Sequence, residues 1–102
     1  MGDEEPVAKR LSLLIQDDYS DLMASFQFTE YFEHDVLSRR PYLTKEICIR
    51  VVENPIRSEP QEHNRFRFWA VVPELGGRIL RVVTLADKIT IHNAFPDRRF
   101  RP

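Results

Sequence analysis

Cysteine occurs once in the 102 residues, at Cys48, so no disulfide can close within the chain and nothing points to an oxidising compartment. Glycine occurs three times, and only Gly76-Gly77 lies in the body of the sequence. That excludes a Gly-rich phosphate loop and a Gly-x-Ser-x-Gly nucleophile elbow. No apolar run approaches the roughly 20 residues needed to span a bilayer. The first six residues are acidic and lack the basic flank of a signal peptide. A cytoplasmic protein with no membrane partner is the expectation. Three histidines and one cysteine are scattered without a close-spaced ligand pair, so neither a metal site nor a cofactor is expected.

Charge is plentiful but unevenly spread. Residues 1–35 carry nine acids and two bases, whereas residues 36–102 carry thirteen bases and seven acids. Twelve of the fifteen bases are arginine. The planar guanidinium binds phosphate in a bidentate fashion and stacks on aromatic rings, so an arginine-dominated region suggests an anionic partner such as RNA. The competing reading is a surface that is merely solubilising.

A chain of this length holds one domain, and a hydrophobic fraction of 42% is enough for one core. Residues 1–25 read as an acidic extension, partly disordered or helical, with 9–15 undecided between helix and strand. Residues 26–102 read as one α+β domain. Thr29 is placed as the N-cap of a first helix that Pro41 ends. Thr44 caps a second helix over 45–53, with Ile47, Val51, Cys48 and Val52 at helical spacing and Asn54-Pro55 closing it. After Pro60 the period changes to two. Residues 65–72 (RFRFWAVV), 78–85 (RILRVVTL) and 88–95 (KITIHNAF) are expected strands, and 56–60 a further edge strand. The fold expected is two or three N-terminal helices packed on a three- to four-stranded antiparallel sheet.

Turn lengths then set the register. A five-residue turn at 73–77 pairs Trp69 with Arg81 and Arg67 with Val83, and a two-residue turn at Ala86-Asp87 pairs Arg81 with His92. One face then holds Phe66, Phe68, Ala70, Val72, Leu80, Val82, Thr84, Ile89, Ile91 and Phe95 as the core. The other gathers Arg65, Arg67, Trp69, Arg81, Lys88, Thr90 and His92. Cleaving a phosphodiester without metal needs a base for the ribose 2′-hydroxyl, donors for the charged transition state and an acid for the leaving oxygen. His92 fits the proton-transfer role, with Arg81 as its cross-strand neighbour. Arg65, Arg67 and Lys88 would hold phosphate, and Trp69 would stack a base. An ordinary solvated sheet face with cross-strand pairs is the alternative.

His34, on the side of the first helix shared by Tyr31 and Ser38, is a second candidate for proton transfer, against a plain solvent-facing role. His63 falls in a polar loop and carries no assignment. Cys48 reads as core rather than nucleophile.

The run Tyr31-Phe32-Glu33-His34, then Arg39-Arg40, Thr44-x-Glu46 and Val52-x-Asn54-Pro55, ends in arginine-rich strands and a closing Ile91-His92-Asn93-Ala94-Phe95-Pro96. Over about residues 26–100 this pattern resembles small RelE/BrnT-like toxin proteins. The resemblance implies two helices on an antiparallel sheet, metal-free RNA cleavage through basic residues on the sheet, and an antitoxin-like protein that covers the site. By position His34 matches the helix histidine, Arg65 or Arg67 and Arg81 the strand arginines, and His92 the polar position of the last strand. The acidic extension departs from the pattern. The expected function is therefore a toxin-type endoribonuclease acting by 2′-hydroxyl attack. The alternatives are a non-catalytic RNA- or protein-binding module using the same basic face, and a structural protein whose arginines serve solubility.

Overall fold

A computed structural model describes residues 25–102. The expectations for the acidic extension, including the undecided segment 9–15, lie outside the described residues. The elements in chain order are β1 (Gln27–Phe28), α1 (a π-wound turn Tyr31–Val36 running into an α-helical turn Leu37–Arg39), α2 (Lys45–Glu53), β2 (Arg57–Gln61), β3 (Arg65–Val72), β4 (Arg78–Thr84) and β5 (Thr90–Pro96). The strands form one sheet in the order β1-β5-β4-β3-β2. No helix among the described residues is long and apolar enough to cross a membrane.

Both described helices start as their sequences direct. Thr29 Oγ1 accepts the backbone N–H of Phe32, and Thr44 Oγ1 accepts that of Ile47. In α1 the widened winding, with Leu37 N–H donating to Phe32 O, leaves Phe32 and Val36 both fully buried. In α2 the i,i+4 pattern brings Ile47, Cys48 and Val51 into the core, with Val52 packed at its margin. Burial pushes the Cys48 thiol up to about 12, helped by the neighbouring Glu46 carboxylate, which makes it an inert core residue.

The sheet is mixed, not purely antiparallel as expected. β1 runs parallel to β5, with Gln27 N–H donating to Ile89 O and Thr29 N–H to Ile91 O. The segment before Thr29 is extended, and its backbone groups find partners on the outer edge of β5. At the opposite edge β2 pairs with β3 and tolerates Pro60, as an edge strand should. The β3–β4 register is the expected one: Trp69 faces Arg81 and Arg67 faces Val83. Its turn, Pro73–Leu75, closes on Gly76 at φ 70° and Gly77 at φ 80°, values that only glycine takes without strain.

The β4–β5 connection departs from expectation and moves the site. In place of a two-residue turn there is a loop over 85–89. Asp87 organises it, its Oδ1 accepting from Ile89 N–H and Thr90 N–H and its Oδ2 from the Thr90 hydroxyl. Lys88 takes φ 64° there. A bulge follows: Thr84 pairs with Ile91 but Val83 with Asn93, which leaves His92 as the extra residue of β5. Arg81 is consequently opposite Phe95 and not His92. The longer loop slips the register by an even number and keeps the faces, while the single inserted residue swaps them beyond it. Two core assignments change as a result. Ile89 is 38% exposed in the loop, and Phe95 stands beneath the Arg81 guanidinium on the far face, while Ala94 enters the core. Thr90, expected on the polar face, is buried against Asp87.

The main core lies between the two helices and one face of the sheet, around Phe32, Val36, Val51, Leu80, Val82 and Ile91. Fully burying side chains of this kind stabilises by about 1.5–3 kcal/mol each. Trp69, Val83 and Phe100 are also buried but are not part of this cluster. They lie on the opposite face, where the segment after β5 turns back over the sheet.

Candidate active site at the bulge of the last strand

The bulge sets the geometry. Ile91 and Ala94 are fully buried, whereas the two residues between them, His92 and Asn93, are half-buried. Two consecutive side chains therefore leave the core on the same side of the strand. His92 Nδ1 lies 3.0 Å from Thr29 Oγ1, the atom that also accepts the Phe32 N–H at the start of α1. The imidazole packs on the Tyr31 ring, with centroids 5.1 Å apart. Tyr31 in turn accepts a hydrogen bond from Arg39 Nη2 at 3.1 Å. The parallel pairing of β1 with β5 is what carries Thr29 and Tyr31 to the histidine.

Burial and the positive charge of Arg65 hold the His92 pKa below the usual imidazole value. Both effects penalise the imidazolium and favour the neutral ring. Its Nε2 makes no hydrogen bond to a described residue. Thr29 Oγ1 has two lone pairs, and one of them can take Nδ1–H, the tautomer that leaves the Nε2 lone pair open. Substituting Arg65→Ala is expected to raise the His92 pKa toward the ordinary value of about 6.5. Titration of the His92 ring protons by NMR measures it directly. An unchanged midpoint would remove Arg65 from the site.

The other candidates are placed less favourably. Arg81 donates from Nε and Nη2 to one oxygen of Asp97, at 3.1 and 3.0 Å, and the same oxygen accepts the Trp69 indole N–H at 2.8 Å. Burial pushes the Asp97 carboxyl up, but the bonds from Trp69, Arg81 and the Arg99 backbone outweigh it and hold the group below the usual carboxylate range. Arg67 is paired with Glu59 at 2.9 Å. Trp69 is only 4% exposed, with Phe100 against its ring at 5.0 Å and the guanidinium groups of Arg67 and Arg81 each 5.4 Å from the centroid. Its ring is already covered, which corrects the expectation that it stacks a base. Lys88 belongs to the β4–β5 loop, with its ammonium 4.5 Å above Phe66, away from the arginine face. His34 is exposed on α1 and makes no hydrogen bond, ion pair or ring contact with a described residue.

Arg81, Arg67 and Trp69 are thus brought together, but into a tail-anchoring cluster with Asp97. His92 is brought instead to Thr29 and Tyr31, with Arg39 one step further out on the Tyr31 hydroxyl, and none of these three was assigned to the site from the sequence. A signal for them existed only in Thr29-x-Tyr31 following the short extended segment. No group of three or more His, Cys, Asp or Glu placed to hold a metal ion occurs among the described residues. Compared with known proteins, the chain matches no family model, no curated protein and no solved structure.

Proposed function

We propose that this protein is an endoribonuclease that cleaves RNA by 2′-hydroxyl attack, with His92 as the base. One observation carries the reading: an imidazole fixed at a strand bulge by Thr29 and Tyr31, with the Arg65 charge near enough to act on it, has no partner for Nε2 among the described residues. In the first step Nε2 takes the 2′-hydroxyl proton while the 2′-oxygen attacks phosphorus. The P–O5′ bond breaks, and the 5′-oxygen leaves with a proton. Tyr31 suits the donor role, because Arg39 occupies an acceptor site of the phenol oxygen and leaves its own O–H to donate. Arg65 and Arg39 would stabilise the charge that grows on the phosphoryl oxygens. The products are a 2′,3′-cyclic phosphate and a 5′-hydroxyl.

A substrate with a single 2′-deoxy nucleotide 5′ to the cleaved bond tests the step. Cleavage at that bond is expected to vanish while neighbouring bonds are still cut. Persistent cutting there would mean that water or another nucleophile attacks.

The second reading is a module that binds RNA without turnover. It is favoured by the pairing of Arg67 with Glu59 and of Arg81 with Asp97, which takes both guanidinium groups out of the pool of free transition-state donors.

A further inference from the structure

Four of the eleven arginines among the described residues are held in ion pairs. Arg50 is held by Glu74, Arg57 and Arg67 by Glu59, and Arg81 by Asp97. Arg78, Arg98 and Arg99 make no side-chain hydrogen bond or ion pair with a described residue, and all three are exposed. Arg78 and Arg98 come together at one end of the sheet. Arg78 opens β4, and the turn after β5 is tied beside it by Asp97 N–H donating to Ile79 O. Between them is a cavity of roughly 230 Å³ lined by Arg78, Ile79, Pro96, Asp97, Arg98 and Phe100.

Asp97 is the only carboxylate in that lining, and both of its oxygens are engaged. One serves Trp69 and Arg81, and the other accepts the Arg99 backbone N–H at 3.1 Å. The turn is not a loose end, because Phe100 is buried against Trp69 and Arg57 lies 4.8 Å from the Phe100 ring centroid. A recess that presents two guanidinium groups without an ion-pair partner among the described residues, its one carboxylate already held by Arg81, suits an oxyanion with several oxygens, such as a phosphodiester.

We infer that the Arg78/Arg98 recess is a backbone-phosphate subsite for single-stranded RNA, remote from the bond that is cleaved. The inference rests on the ribonuclease reading for its choice of polyanion. Pro96 lies four positions beyond His92 on β5, which places the recess roughly 13 Å from the bulge along the strand. A contact at that distance holds the substrate without touching the reacting atoms, so its energy serves long RNAs and is absent for a dinucleotide.

The test uses the full chain and the Arg78→Ala/Arg98→Ala double variant, with folding checked by circular dichroism and Arg78→Lys/Arg98→Lys as a charge-retaining control. Binding of a fluorescein-labelled 20-nucleotide single-stranded RNA is followed by anisotropy across a salt series. The alanine variant is expected to bind about tenfold more weakly at low salt, with the log–log salt slope reduced by about 0.7, one phosphate contact. The lysine variant should keep most of the slope. Cleavage of a dinucleotide should be unchanged in both. Equal affinity and slope in wild type and alanine variant would overturn the inference even if cleavage is normal. Wild-type protein that binds no RNA would overturn it too, in favour of an acidic protein partner. Binding that is independent of RNA length and displaced by low inorganic phosphate would make the recess a free-phosphate site. Binding of RNA that depends on Arg78 and Arg98 without any cleavage would uphold the subsite and defeat the ribonuclease reading.

Discussion

Replacing His92 with alanine is expected to lower the rate of RNA cleavage by about 100- to 10,000-fold while the protein stays folded. Removing a positioned proton-transfer group costs this much in enzymes that depend on one. The structural cost is smaller, because His92 is the extra residue of a bulge and is half-buried. Its loss removes the contact with Thr29 Oγ1 and the packing on Tyr31, about 1 kcal/mol. Thr29 keeps its bond to the Phe32 N–H, so the start of α1 survives. His92→Gln separates the two effects. It can still bond to Thr29 but cannot carry a proton, and it should be as inactive as alanine. Rates from single-turnover assays, with thermal melts on the same preparations, check both halves. An active His92→Gln variant would reduce the histidine to a positioning residue.

The second large effect concerns stability. Asp97→Ala is expected to destabilise the fold by about 2–3 kcal/mol, because it strands two donors at once: the Arg81 guanidinium and the Trp69 indole N–H, on a face where Trp69 is buried. For a domain of this size that corresponds to a fall of about 10 °C or more in Tm. Asp97→Asn should cost less, since an amide oxygen still accepts from Trp69. The pH dependence follows from the lowered pKa of Asp97. A carboxyl whose folded pKa lies below its unfolded value adds stability that is fully present above about pH 4. That stability is lost as pH falls through the folded value. The wild type should therefore lose more stability than Asp97→Asn between about pH 5 and pH 3. Chemical denaturation followed by Trp69 fluorescence reads it, because the indole sits in the same cluster. Equal pH profiles would show that the ion pair contributes nothing.

How much of this was legible in the sequence depended on the range of the interaction. The helix at 45–53, its Thr44 cap and the alternation through 65–72 are local patterns, and each reads directly. The β3–β4 register was legible as well, because a turn of known length between two alternating strands fixes it. The β4–β5 register was not. Ala86-Asp87 looks like a two-residue turn, but Asp87 bonds to Ile89 and Thr90 and draws five residues into the loop. The bulge at His92 has no local signature at all. It is set by Ile91 and Ala94 both being required in the core. The expected pairing of Arg81 with His92 went with the β4–β5 register, on which it rested. Asp97, the partner that actually holds Arg81, lies beyond the last expected strand, where no periodicity places it. Thr29 and Tyr31 reach His92 only through a parallel pairing across more than sixty residues of sequence, which periodicity does not encode.

The central claim is that the His92 cluster cuts RNA, and it is tested most directly by identifying the ends left on a 5′-labelled single-stranded RNA incubated with the purified wild-type chain in EDTA. Fragments ending in 2′,3′-cyclic phosphate with 5′-hydroxyl partners are expected with wild type and none with His92→Ala. Intact RNA with the wild type, or fragments that form equally well with His92→Ala, would contradict it.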